Sequence, residues 1–198
     1  MSLFETIQIK NGIPQRLEYH NERMNRSRND LFCLSEEIYL ENLIIVPQKF
    51  SKGIVKCRVE YAEQIEKVEF KDYHPQQHDA FYLVDSSIDY AHKYTDRKDF
   101  KKLKYSLPLS SEIIIIKDGF ITDTSYSNLI FKNKKGKWCT PETFLLKGTQ
   151  REYLLDERII FERTISKYDL QNFSHFMMIN AMLDIKEARA IPIDRIIQ

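Results

Sequence analysis

Between residues 3 and 20 the chain alternates. Phe4, Thr6 and Gln8 take turns with Glu5, Ile7 and Ile9, and the pair Asn11-Gly12 follows. Period-two alternation ending in Asn-Gly predicts a strand hairpin over "LFETIQIKNGIPQRLEYH". The period then lengthens. In "NERMNRSRNDLFC", Met24, Leu31 and Phe32 fall on or near one helical face, with Asn21 placed to cap the helix. Ser35, Glu37 and Leu40 predict a second helix through Leu43. Alternation returns in "GIVKCRVEYAE" and "KVEFKDYHP", as two paired strands require. After Asp85 few periodic patterns remain until "EIIIIKDG", "FITDTSYSNLIF" and "GKWCTPE", three strand-like runs separated by turn residues. "KGTQREYLLDER" reads as a helix opened by Gly148 and Thr149, and the remainder as strands with short helical turns. The pattern predicts an α+β chain. A small α+β lobe spans 1–85, a connection spans 86–97, and a strand-rich lobe spans 98–198.

Composition narrows the classes. The 198 residues are 42% hydrophobic and 12% aromatic, enough to bury a core in one domain or two small lobes. Thirty basic side chains face 29 acidic ones, a net charge of +1, which gives no reason to invoke nucleic acid or an acidic membrane. The longest apolar runs are far too short to span a bilayer, and "MSLFETIQIK" lacks the layout of a signal peptide. Cys33, Cys57 and Cys139 are scattered and odd in number, with no metal-ligand spacing. No metal site is expected, and a reducing cytoplasm fits best.

Four features suggest chemistry. In "GFITDTSYSNLIF", Asp123 and a cluster of hydroxyls lie between two apolar runs; a polar turn would look the same. Lys93 lies on the connection between the lobes, where clefts form, although most lysines are solvated surface residues. Gly148 and Thr149 precede a helix whose first N–H groups can bind phosphate or accept an ordinary cap. His20 and Arg23 lie three apart and share a helical face, from which Arg23 could fork onto a phosphate or simply face solvent.

Taken in order, "LFETI…NG…LEYHNERM", "VKCRVEY", "HKYTDR", "KDGFITDTSYSNLIF…GKWCTPE" and "LLKGTQR" resemble the class IV aminotransferases. These are fold type IV enzymes that use pyridoxal 5′-phosphate (PLP). The resemblance runs from Phe4 to about Pro192 and implies a two-lobe, D-amino acid aminotransferase-like fold. It makes Lys93 the residue to which the cofactor is covalently attached, through a "K-x-x-(N/D)-R" pattern. It makes Asp123 the acid beside the pyridine nitrogen, where the family usually has Glu, with Asn128 fixing the turn. Either carboxylate can keep the ring nitrogen protonated. Arg23, Thr149 and Gln150 match the phosphate-binding positions, and Asn180 and Ala181 the far phosphate contact. Arg58 matches a position that can face a substrate carboxylate, or it pairs with an acid across the sheet; Arg97 joins it on the substrate side.

Family members usually carry further strands and a "D-R-G" segment before "FET", which this chain lacks at its start. That departure bears on substrate identity more than on PLP binding. Thr6 and "HKYTDR" are closer to the 4-amino-4-deoxychorismate lyase branch, which eliminates pyruvate to leave 4-aminobenzoate, and Thr6 joins the catalytic set on that reading. An aminotransferase acting on branched-chain or D-amino acids is the alternative, and a non-catalytic homologue that kept the fold is a second. The resemblance implies a small-molecule amine substrate and a homodimer, with a place in folate biosynthesis on the lyase reading.

Overall fold

The computed structural model describes residues 1–186 and 188–197. The chain divides into two compact units, Met1–Pro75 with His92–Asp96, and Gln76–Ala91 with Arg97–Gln198. The mixed α+β, strand-rich fold expected from the pattern is present.

In the first unit, strand β1 (Leu3–Lys10) turns back into β2 (Ile13–Pro14) through Asn11 and Gly12, both left-handed at φ 51° and 80°. Asn and Gly are the residues that adopt such angles at least cost, so the hairpin is written locally. Helix α1 (Leu17–Phe32) follows, and strands β3 (Ile54–Tyr61) and β4 (Ile65–Asp72) complete a sheet of order β2-β1-β3-β4 among the described residues. Alternation decides its faces. Leu3, Ile7 and Ile9 of β1 and Val55, Cys57, Val59 and Tyr61 of β3 close over Met24 and Leu40. Residues 93–95 run along the start of β1: Phe4 N–H donates to the Lys93 carbonyl and Thr95 N–H to that of Ser2, both at 3.0 Å.

Two expectations fail here. The second hairpin strand is only Ile13–Pro14 and α1 begins at Leu17, so Asn21 lies within the helix and does not cap it. The Asn21 side chain instead accepts from Leu40 N–H at 2.9 Å and donates to Glu41 at 2.7 Å. Asn25 bonds both the N–H and the C=O of Ile38 at 2.9 Å. These amides satisfy the backbone of 38–40 in extended form. The expected helix through Leu43 therefore shrinks to one 3-10 turn, Leu40–Asn42.

The second unit contains two sheets among the described residues. Strands β5 (Ala80–Asp85), β6 (Ser111–Lys117) and β7 (Phe120–Thr124) form one, with helix α2 (Lys98–Lys104) between β5 and β6 in sequence. Strands β8 (Asn128–Asn133) and β9 (Trp138–Pro141) begin the other, followed by helix α3 (Thr149–Asp156), β10 (Phe161–Arg163), β11 (Phe173–Ile179) and β12 (Ile191–Pro192). The last strand, β13 (Ile196–Ile197), returns to the first sheet. The orders are β13-β5-β6-β7 and β10-β9-β8-β11-β12. Phe81, Ile114 and Ile116 of the first sheet share a core with Leu129, Phe131 and Phe176 of the second.

The boundaries differ from the sequence expectation in two stretches: the expected connection 86–97 is divided, with 86–91 and 97 in the second unit and 92–96 in the first. Residues 76–85, expected in the first lobe, belong to the second unit, where β5 pairs parallel with β6. Its partner lies some thirty residues downstream, and no local period records that. The run "FITDTSYSNLIF" also separates into two strands that belong to different sheets, so the chain crosses between sheets at residues 125–127.

Candidate active site

The crossing between β7 and β8 builds the polar centre of the second unit. Asp123, one residue from the end of β7, is buried. Its Oδ1 accepts from Asn128 Nδ2 at 2.8 Å; its Oδ2 accepts from Leu145 N–H and Leu146 N–H, both at 2.9 Å. Burial pushes this carboxyl up to about 6, against the pull of these N–H groups and the Arg151 guanidinium. Asn128 Nδ2 also donates to the Leu146 carbonyl at 3.0 Å. One amide thus ties the acid to the loop ahead of α3.

That loop delivers Gly148, Thr149 and Gln150. Gly148 lies against the Asn128 side chain so closely that a Cβ there would meet Oδ1 at 1.8 Å. Thr149 and Gln150 open α3, where the first N–H groups lack intrahelical acceptors. Thr149 Oγ1 and both polar atoms of the Gln150 side chain are buried without a hydrogen-bond partner among the described residues. Asn180, just past β11, donates from Nδ2 to Ser127 Oγ at 2.8 Å and accepts from Met182 N–H at 2.8 Å. Ala181 beside it is buried. The structure therefore brings Asp123, Asn128, Thr149, Gln150, Asn180 and Ala181 to neighbouring ends of β7, β8, β11 and α3.

Arg97, expected on the substrate side, is engaged by its own unit. Nη1 donates to Tyr90 Oη at 2.9 Å, Nη2 donates to the Ser125 carbonyl, and the guanidinium lies 4.3 Å from the Phe100 ring centre. It clasps the β7–β8 turn.

The first unit holds the other candidates in two groups. Phe4 gathers one: the Arg58 guanidinium stands 3.8 Å and Lys93 Nζ 4.8 Å from its ring centre. Thr6 shares the face of Phe4 and pairs in register with Arg58. Arg58 also donates from Nε to Glu60 at 2.7 Å, an acid two residues along its own strand; the expected cross-strand partner position is held by Glu69.

The second group lies on the opposite face of β1. Glu5 is fully buried and accepts from Arg23 Nε at 2.9 Å, Arg23 Nη2 at 2.5 Å and His20 Nδ1 at 2.6 Å. Burial raises the Glu5 carboxyl, but the Arg23 guanidinium and His20 outweigh it and hold it at about 2. Burial lowers His20 below its ordinary value, more than Glu5 raises it, so the neutral ring donates through Nδ1. Arg23 is thus neither a surface arginine nor unshared. Sequence reasoning missed Glu5, although the signal was present: an acid in register with Leu3, Ile7 and Ile9 occupies a core position and must have a partner. No group of His, Cys, Asp or Glu suited to a metal ion occurs among the described residues. No helix among them is long and apolar enough to cross a membrane.

Comparison with known proteins bears on the fold and the family. Residues 86–191 match the family described as amino-transferase class IV. The chain belongs to that family of enzymes. It is 39% identical over 183 residues to an uncharacterized protein of Haemophilus influenzae, an alignment covering 91% of this chain and 97% of the relative. A crystal structure from Haemophilus somnus, of a protein provisionally named 4-amino-4-deoxychorismate lyase, superposes with a TM-score of 0.84. It is 31% identical and covers 93% of this chain and 97% of its own. The PLP-bound form of a hypothetical aminotransferase from Mycobacterium tuberculosis superposes at 0.73, with 15% identity over 96% of this chain and 80% of its own. The last likeness shows the fold alone.

Proposed function

We propose that the protein binds PLP and acts as a 4-amino-4-deoxychorismate lyase, releasing pyruvate and leaving 4-aminobenzoate. The second unit fits the cofactor. The Asp123 carboxylate is desolvated and oriented by three N–H groups, which suits a protonated pyridine nitrogen. The buried hydroxyl of Thr149 and amide of Gln150 at the start of α3, without hydrogen-bond partners among the described residues, suit a phosphate. Lys93 would hold the cofactor covalently through Nζ. Arg23, its guanidinium aligned by Glu5, is proposed as a phosphate ligand, with Asn180 and Ala181 as further phosphate contacts.

PLP, when bound, supplies an electron sink for negative charge on the carbon bearing the substrate amine. The chain's own groups then set the outcome. Lys93 Nζ removes the proton from that carbon. Breaking the neighbouring carbon–oxygen bond makes the ring aromatic and frees enolpyruvate. A proton returned to its methylene carbon gives pyruvate, so the elimination consumes no other reagent. Thr6, on the same sheet face as Phe4, is the hydroxyl proposed to serve the departing group. Arg58 is proposed to face a substrate carboxylate.

The observation that carries the lyase reading is the 31% identity to the Haemophilus somnus protein over 93% of this chain. The test is to incubate PLP-loaded protein with aminodeoxychorismate and measure both products. Equal amounts of 4-aminobenzoate and pyruvate are expected. Amino transfer to 2-oxoglutarate or pyruvate from an amino-acid panel, with no 4-aminobenzoate, would replace the lyase by an aminotransferase. Borohydride reduction and peptide mapping should place the cofactor on Lys93. The protein is further proposed to work as a homodimer in the cytoplasm; Cys57 and Cys139, both unpaired and buried, suit a reducing compartment.

A further inference from the structure

The turn linking β7 to β8 is held from outside by Glu112 of β6, a residue with no place in the site described above. Glu112 is fully buried. Its Oε1 accepts from Ser125 N–H at 3.1 Å and from Ile113 N–H at 2.9 Å. Its Oε2 accepts from Lys104 Nζ at 2.9 Å and lies 3.9 Å from His78 Nε2. Arg97 donates to the Ser125 carbonyl, so both polar groups of Ser125 are fixed by side chains from other elements. Inside the turn, Thr124 Oγ1 accepts from Tyr126 N–H at 3.3 Å and Ser127 N–H at 3.0 Å, while Thr124 N–H donates to the Ser127 carbonyl at 2.8 Å. The turn is closed by its own hydrogen bonds; Glu112 and Arg97 tie it to other elements at Ser125, His78 at Tyr126 Oη and Asn180 at Ser127 Oγ.

An ion pair with Lys104 alone does not account for this placement. Lys104 is 29% exposed, and a carboxylate nearer the surface would meet it without losing its hydration. Burying Glu112 becomes worthwhile when its lone pairs orient backbone groups. The group it orients lies two residues from Asp123 and three from Asn128. We infer that Glu112 is a positioning residue: through Ser125 it fixes the turn that sets Asp123 and Asn128 against each other. This rests on the reading of Asp123 as the partner of the ring nitrogen.

The test compares Glu112→Gln, which keeps an acceptor for Ser125 N–H, with Glu112→Met, which keeps the volume and loses the acceptor. Amide hydrogen exchange and the titration of the Asp123 carboxyl are measured without cofactor, and PLP affinity separately. In Glu112→Met, protection of the Ser125 amide should fall about ten- to a hundredfold, the worth of one hydrogen bond to a charged group. The Asp123 midpoint should move, and PLP should bind about tenfold more weakly. Glu112→Gln should restore all three. A Met variant that is merely less stable, with Ser125 protection and Asp123 titration unchanged, would overturn the inference. Should that variant fail to fold, the unaltered protein decides: Ser125 protected like the β6 amides supports the role, and free exchange at Ser125 removes it. If the unaltered protein binds no PLP, the cofactor reading fails, while the exchange measurements still judge Glu112.

Discussion

Gly148 has an ordinary backbone, φ −78° and ψ 136°, which any residue adopts, so its need for a bare Cα is a matter of contact. A Cβ would stand 1.8 Å from Asn128 Oδ1. Asn128 has little room to yield, because its Nδ2 is shared between Asp123 Oδ1 and the Leu146 carbonyl. Gly148→Ala should therefore turn Asn128 away and take one of three N–H donors from Asp123. The added methyl should cost about 1–3 kcal/mol of stability, a typical overpacking penalty. The Asp123 carboxyl should titrate above its present value of about 6, since a donor that lowers it is gone. Turnover should drop by about a hundredfold if the site carries out the proposed chemistry. Carbon-13 NMR of the side chain reads the titration. An unchanged midpoint would mean that Asn128 does not hold the acid.

At the scale of elements, β1 and α1 meet through a buried ion pair as well as an apolar core. Arg23 and His20 come from one helical face and Glu5 from the core side of the strand. Removing Arg23 leaves the buried Glu5 carboxylate without its cation and with only the His20 N–H as a side-chain partner, which costs about 3–5 kcal/mol. Arg23→Met should therefore lower the stability of the protein without cofactor by that order, measured by urea unfolding. Any loss of PLP affinity comes in addition. A loss under about 1 kcal/mol, the worth of a surface pair, would show that the pair is solvated. Much of this unit could be read in the chain: the hairpin at Asn11-Gly12, the strands β3 and β4, and the amphipathic run of α1 follow local periods. What the chain did not show locally were long-range choices. Asn21 and Asn25 serve the backbone of residues 38–40, which no cap rule anticipates. Strand β5 finds its parallel partner beyond a helix. At the site, "ITDTSYSN" announced Asp123 and Asn128, and "LLKGTQ" announced the start of α3. Glu112 was hidden at the head of an apolar strand, because nothing in "SEIIIIK" says that the acid turns inward.

Across the whole molecule, the two units carry titrating groups whose effects on stability oppose each other. Asp123 in the second unit has a folded value of about 6, above its ordinary 3.8. A raised carboxyl binds its proton more readily when folded. Its stabilising contribution is full below 3.8 and is lost as pH rises through about 6. Glu5 and His20 in the first unit are both lowered. The Glu5 contribution is present above 4.5 and lost as pH falls toward about 2; that of His20 is present above 6.5 and lost as pH falls through its folded value. Taking the protein without cofactor from pH 7 to pH 5 should therefore strengthen β7 and β8 by about 1–2 kcal/mol while weakening β1 and α1. Hydrogen-exchange protection, corrected for intrinsic rates, measures both units in one sample. With PLP bound, the gain in the second unit should disappear, because a protonated ring nitrogen beside Asp123 keeps the carboxyl ionised throughout this range. Parallel responses in the two units would contradict a burial of Asp123 that outweighs its N–H donors. A gain that persists at saturating PLP would separate Asp123 from the cofactor.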